Sequence, residues 1–134
     1  MTRRILCAAV AMAISTAAPA RLRETPIATP AGKPVDCLQL HQIRETRVRD
    51  DRTIDFYTYG REVYRNTLPL QCPELGFEEA FGYKTSTQQL CSVDTITVIR
   101  RGSTLPGTTC GLGSFQPVTI AGETGKGRNR PPSR

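Results

Sequence analysis

Cys37, Cys72, Cys91 and Cys110 follow a secretory-type N-terminus in this chain of 134 residues, and no other feature narrows the fold as much. Four cysteines in a short exported protein imply two disulfides, with three connectivities open at this level. None of the spacings is C-x-x-C, and His41 is the only histidine. A zinc site would therefore need four scattered thiolates in an oxidising compartment, so bridges are the reading over metal. Each bridge closes a long loop, worth about 4 kcal/mol in the chain-entropy account. That is a large share for a domain this small, which buries a modest fraction of its surface.

The N-terminus has the order of a signal peptide over residues 1–20. Met1 to Arg4 is a basic n-region, Ile5 to Ile14 an apolar h-region, and Ala18-Pro19-Ala20 an A-x-A cleavage site before Arg21. At about 1.5 Å per residue the h-region covers roughly half of a ~30 Å hydrocarbon core, so it reads as a signal and not as an anchor. Arg3-Arg4 resembles a twin-arginine pair, but such pairs are common in ordinary n-regions and no cofactor motif follows. Cleavage removes Cys7, the fifth cysteine. A periplasmic or secreted protein with no transmembrane segment in its mature chain is expected.

Within the mature chain three parts are expected: a flexible spacer at 21–36, a folded domain at 37–121 and a disordered basic tail at 122–134. The spacer has few large apolar residues and several prolines, and the tail beyond Ala121 has no apolar residue. In the domain, Leu38, Leu40, Ile43, Thr46 and Val48 read as one long strand bent by a bulge, with a short helical turn as the alternative. Ile54 and Phe56 alternate with Asp55 and Tyr57, Gly60 supplies a turn, and Val63 to Leu68 completes a hairpin. Pro73 to Phe81 has room for one helical turn, Thr95 to Ile99 alternates as a second strand, and Ser114 to Ile120 reads as an edge strand interrupted by Pro117.

The net charge of +6 is not carried by the domain. Residues 37–121 hold nine basic and nine acidic side chains, so the surplus lies in the terminal segments. A nucleic-acid partner is not expected, because the folded surface has no basic excess. An envelope protein or an anionic surface is the expected partner class.

Catalytic signatures are missing: there is no G-x-S-x-G, H-E-x-x-H, Walker loop or G-x-G-x-x-G. No cofactor and no metal are expected, His41 reads as a surface or core-edge residue, and Asp50, Asp51 and Asp94 read as turn residues before calcium ligands. Arg44, Arg47, Arg49 and Arg52 alternate with Glu45, Asp50 and Asp51 as a solvated, internally paired strand face. Tyr57, Tyr59, Arg61 and Tyr64 form the candidate binding face, because tyrosine and arginine together make a stacking surface; a cross-strand aromatic cluster is the plainer alternative.

Several segments together carry a resemblance: C-L-Q-L at Cys37, I-R-E-T-R-V-R-D-D-R-T-I-D-F from Ile43, Y-R-N-T-L-P from Tyr64, C-P-E-L-G-F from Cys72, L-C-S-V-D-T-I-T-V from Leu90 and C-G-L-G-S-F-Q-P from Cys110. On these the chain resembles an uncharacterised family of small exported bacterial proteins, a domain of unknown function. The resemblance implies a small β-rich domain outside the cytoplasm and brings no activity or ligand. It also implies a Cys72–Cys110 bridge, which leaves Cys37 with Cys91. The expected fold is mainly β: a five- to six-stranded antiparallel OB-like barrel or open meander with at most one short helix and two disulfides. The expected role is a non-enzymatic cell-envelope binding or interaction module. An enzyme or enzyme inhibitor with a noncanonical site, or a purely structural envelope protein, is the alternative.

Overall fold

The structure, a computed structural model, describes residues 24–123. The signal segment and tail residues 124–134 lie outside the described residues. In chain order the elements are β1 (Ala28–Pro30), β2 (Cys37–Gln39), a 3-10 turn (Leu40–Gln42), β3 (Ile43–Val48), β4 (Thr53–Thr58), β5 (Val63–Thr67), α1 (Leu75–Glu78), β6 (Phe81–Tyr83), β7 (Gln89–Cys91), β8 (Thr95–Val98), β9 (Thr109–Gly111) and β10 (Phe115–Ile120). The strands form a five-stranded sheet in the order β1-β10-β5-β4-β3, a three-stranded sheet β6-β8-β9 and a pair β2-β7, with every pairing antiparallel. The fold is mainly β, and no closed barrel is found among the described residues.

The β4–β5 hairpin sets the frame. Its alternation sends Ile54 and Phe56 into the core, both fully buried, and sends Asp55 and Tyr57 to the other face. The turn is built from a Thr58 carbonyl that accepts the Arg61 amide, followed by Arg61 itself at φ 68°. A type I turn closed by a left-handed residue is a standard three-residue hairpin loop. The positive φ of this turn is thus carried by Arg61 and not by Gly60, at a cost of about 1 kcal/mol for a residue with a Cβ.

The core fills the space between the inner face of the large sheet and the two smaller sheets. Leu38 and Leu90 come from the β2–β7 pair, Ile96 and Val98 from β8, Leu75 from α1, and Leu68 and Leu112 from the connections. Phe56 meets Phe115 edge-on at 5.3 Å and Phe81 at 6.4 Å, a geometry worth about 1 kcal/mol per pair beyond simple burial. Buried Asn66 completes this layer by acting as a piece of backbone. Its amide donates to the Gly113 carbonyl at 2.6 Å and its oxygen accepts the Gly113 amide at 2.9 Å, which satisfies a polar side chain with no access to water. A Cβ at position 113 would lie 2.3 Å from the Thr67 carbonyl oxygen, so glycine is required for this approach.

Two disulfides staple the fold. Cys37–Cys91 joins directly opposed positions of β2 and β7, and Cys72–Cys110 ties the connection after β5 to β9.

Three local expectations change. The segment read as a flexible spacer contributes β1, whose Ala28, Thr29 and Pro30 pair with Ile120, Thr119 and Val118. Its ordering comes from the edge that β10 offers, which its own composition cannot reveal. Because β1 covers that edge, β10 is an internal strand, and Pro117 sits there by accepting the Ala31 amide through its carbonyl. The long strand expected from Leu38 to Val48 is divided by the 3-10 turn, and a register shift between Ile43 and Glu45 follows it.

Candidate functional site

The outer face of the large sheet is the unusual one. Asp55 points away from the apolar core yet is fully buried, because two arginines close over it. Arg49 Nε donates to Asp55 Oδ2 at 2.7 Å; Arg65 donates to Oδ1 from Nε at 2.7 Å and to Oδ2 from Nη2 at 2.9 Å. Hairpin register places Asp55 directly opposite Arg65, and the β3–β4 register places it opposite Arg47. Arg65 also donates to the Pro26 carbonyl at 2.9 Å, so the segment before β1 forms a further wall.

A second carboxylate extends the cluster. Glu123, just after β10, accepts hydrogen bonds from Arg49 Nη2 at 3.0 Å, from Arg47 Nη1 at 3.3 Å and from the Tyr57 hydroxyl. Arg49 Nη2 also donates to the Tyr57 oxygen at 2.6 Å, and the Arg47 guanidinium stacks over the Tyr57 ring at 4.6 Å. Desolvation and the bond to Glu123 push the Tyr57 hydroxyl up to about 12. Partial burial works to raise the Glu123 carboxyl, but the Tyr57 and Arg49 hydrogen bonds and the two guanidinium charges outweigh it and hold the group below its ordinary range. Beside them lies a small apolar cluster of Tyr57, Val118 and Ile120, with Ala28 and Val63 at its margin.

The other candidate is a groove of about 670 Å3 on the far side of the core, across the outer face of β6-β8-β9. Gly82, Thr97 and Thr109 are aligned across the three strands, and the Thr97 and Thr109 hydroxyls are 3.0 Å apart. Tyr83, Ile99 and Leu105 line it with exposed apolar surface, and Lys84 and Arg100 bring positive charge. Arg100 is also held by Glu74, at 2.7 Å. Gly82 and Gly111 leave this sheet face low, since a Cβ at 111 would meet nothing within 4 Å.

The residues chosen from sequence are not brought together. Tyr57 is buried on the outer face of the large sheet, whereas Tyr64 pairs with Phe56 on the inner face and packs against the core. Tyr59 is exposed and Arg61 belongs to the hairpin turn. The reason is register: positions 57 and 64 face opposite ways when 56 pairs with 64. Arg49 is likewise no solvated strand residue, since its side chain is 14% exposed within the buried cluster. Asp50 and Asp94 each accept an amide within a turn, from Arg52 and Cys91, and Asp50 also accepts the Thr25 hydroxyl, whereas Asp51 accepts the distant Gly76 amide. Among the described residues no group of three or more His, Cys, Asp or Glu is placed to hold a metal, and His41 is exposed on the 3-10 turn. No helix among the described residues is long and apolar enough to cross a membrane.

Sequence reasoning missed Asp55, Arg65 and Glu123. A signal for the first two was present, because a hairpin centred on Gly60 puts 55 opposite 65 and pairs unlike charges. Glu123 gave no such signal. Comparison with protein-family models, with curated proteins and with solved structures finds no match to this chain.

Proposed function

We propose that this chain is an exported, non-enzymatic binding module of the cell envelope, periplasmic or secreted, and that its ligand lies in the groove of the β6-β8-β9 sheet. This reading includes the resemblance to the small exported family. The observation that carries it is the lining of that groove. Threonine hydroxyls, a glycine floor and exposed Tyr83, Ile99 and Leu105 supply area and hydrogen bonding for an extended ligand, with Lys84 and Arg100 as positive contacts. The two disulfides suit an oxidising compartment and hold β9 and β7 in place without a large core.

A photo-crosslinking side chain at Leu105 tests this against one at Thr29 on β1. With the mature protein in envelope extract, a discrete adduct is expected at 105 and not at 29. Thr97→Arg, which fills the groove with a cation, should reduce the yield at least tenfold without changing the melting temperature. Equal labelling at both positions, or a yield indifferent to Thr97→Arg, would overturn the assignment.

A further inference from the structure

The Arg47, Arg49 and Tyr57 side chains converge on one carboxylate, and that carboxylate belongs to the protein's own Glu123. The converging groups are held independently of it. Asp55 fixes Arg49 at 2.7 Å, Glu45 fixes Arg47 at 2.6 Å, and the Arg47 guanidinium rests on the Tyr57 ring. Tyr57 itself is clamped between Glu45 and Val63 of the neighbouring strands, in the middle of the sheet. Glu123, by contrast, stands beyond the last strand in a turn where its own amide donates to the Ile120 carbonyl at 3.2 Å and the Ala121 amide to the Ile27 carbonyl at 3.1 Å. Each receptor side chain thus has a partner besides Glu123, and the group they hold follows the last strand.

We propose that Arg47, Arg49 and Tyr57 form a carboxylate-binding site, occupied in cis by Glu123, which takes an acidic side chain of a partner polypeptide when Glu123 withdraws. The group now seated there is a glutamate side chain, so size and hydrogen-bond count match a protein carboxylate. Two guanidinium donors and one phenol donor serve the two oxygens, which is charge-assisted recognition of the strong kind. A tethered occupant acts at an effective concentration of order millimolar, so a lone small carboxylate competes poorly. A polypeptide that adds contacts of its own does better. The adjoining strand β3 is an edge of the sheet, unpaired among the described residues, where such contacts are available. The site is separate from the groove, on the opposite side of the core.

The test uses the full mature chain carrying Glu123→Gln, which empties the site of charge and keeps the side-chain volume. Binding is followed by NMR shifts of the Arg47 and Arg49 Nε–H groups and the Tyr57 ring on titration with N-acetylglutamate amide or inorganic phosphate. The glutamate probe should saturate these signals in the variant, at least tenfold more tightly than in the unaltered chain. Adding Arg47→Gln, at a half-exposed position where folding is undisturbed, should weaken it about tenfold. Saturable shifts that phosphate produces as well as the glutamate probe does would overturn the assignment to a protein carboxylate. Absence of shifts in a folded Glu123→Gln chain would overturn the site itself and reduce Glu123 to a fastening of the last turn.

Discussion

Replacing Asp55 by alanine should be among the most damaging single changes in this protein. The substitution removes the acceptor of three short hydrogen bonds, at 2.7, 2.7 and 2.9 Å, from two arginines whose side chains are each 14% exposed. Neither arginine can swing fully into water without uncovering the sheet. Removing one partner of a buried ion cluster costs about 3–5 kcal/mol, mainly through the uncompensated charges left behind. Domains of this size have about 5–10 kcal/mol in total, so the loss is roughly a third of it or more. Asp55→Asn should fare little better, since its amide hydrogens would face guanidinium groups. By contrast Asp50→Asn, on a half-buried turn, should cost about 1 kcal/mol for weakened bonds to Thr25 and the Arg52 amide. Urea denaturation of the oxidised proteins at pH 7, read by far-ultraviolet circular dichroism, measures the differences at constant slope. A triple variant Asp55→Leu, Arg49→Met, Arg65→Leu separates charge burial from shape, because apolar replacement of a whole buried cluster is often neutral. An Asp55→Ala protein within 1 kcal/mol of the unaltered one would refute the argument, as would a triple variant less stable than Asp55→Ala.

Two other outcomes follow from the same structure. Opening Cys72–Cys110 by paired serine substitutions should cost about 4 kcal/mol, from a closed loop of 38 residues' separation, and leave the domain largely unfolded at 37 °C; an unchanged urea midpoint would count against it. Stability should fall on acidification from the ordinary range near 4.5 for Glu123 and 3.8 for Asp50 downward, because both carboxyls are depressed in the fold and protonation favours the unfolded chain. It should also fall between pH 10 and about 12, because the raised Tyr57 hydroxyl ionises more readily once unfolded. Equilibrium unfolding across pH checks both limbs, and Tyr57→Phe should flatten the alkaline one.

What the sequence makes readable is what local pattern decides. The β4–β5 hairpin is visible in the alternation of Ile54, Asp55, Phe56 and Tyr57, and the helical turn at Leu75–Glu78 follows Pro73 where a first turn is tolerated. The four cysteines give the number of staples, but residue spacing leaves their partners open. β1 is hidden because three residues including a proline have strand geometry only when β10 presents an edge. The charged cluster is hidden for a related reason. Alternation marks Asp55 and Arg49 as outward-facing, and outward is ordinarily solvent; burial there needs Arg65 across the hairpin, Pro26 from before β1 and Glu123 from after β10. Those three segments are far apart in sequence, and no periodicity links them.

The two faces of the large sheet therefore solve the same problem with different chemistry. The inner face excludes water with Ile54, Phe56 and Phe115, while the outer face excludes it with aliphatic stems of Arg47, Arg49 and Arg65, whose heads are neutralised by Asp55, Glu45 and Glu123. An apolar outer face on a sheet whose β3 edge is unpaired among the described residues would invite strand addition and aggregation. An arginine-roofed face keeps the sheet buried and still presents charge at that edge. The cost is that the roof depends on carboxylates delivered from elsewhere in the chain, Glu123 among them from the turn after β10. The β6-β8-β9 face carries no such roof among the described residues, and Thr97, Thr109, Ile99 and Leu105 line its groove. The two surfaces are also linked outside the core, since Asp51, two residues after Arg49, accepts the Gly76 amide of α1 at 2.7 Å, and Glu74, just before α1, holds Arg100 of the groove at 2.7 Å.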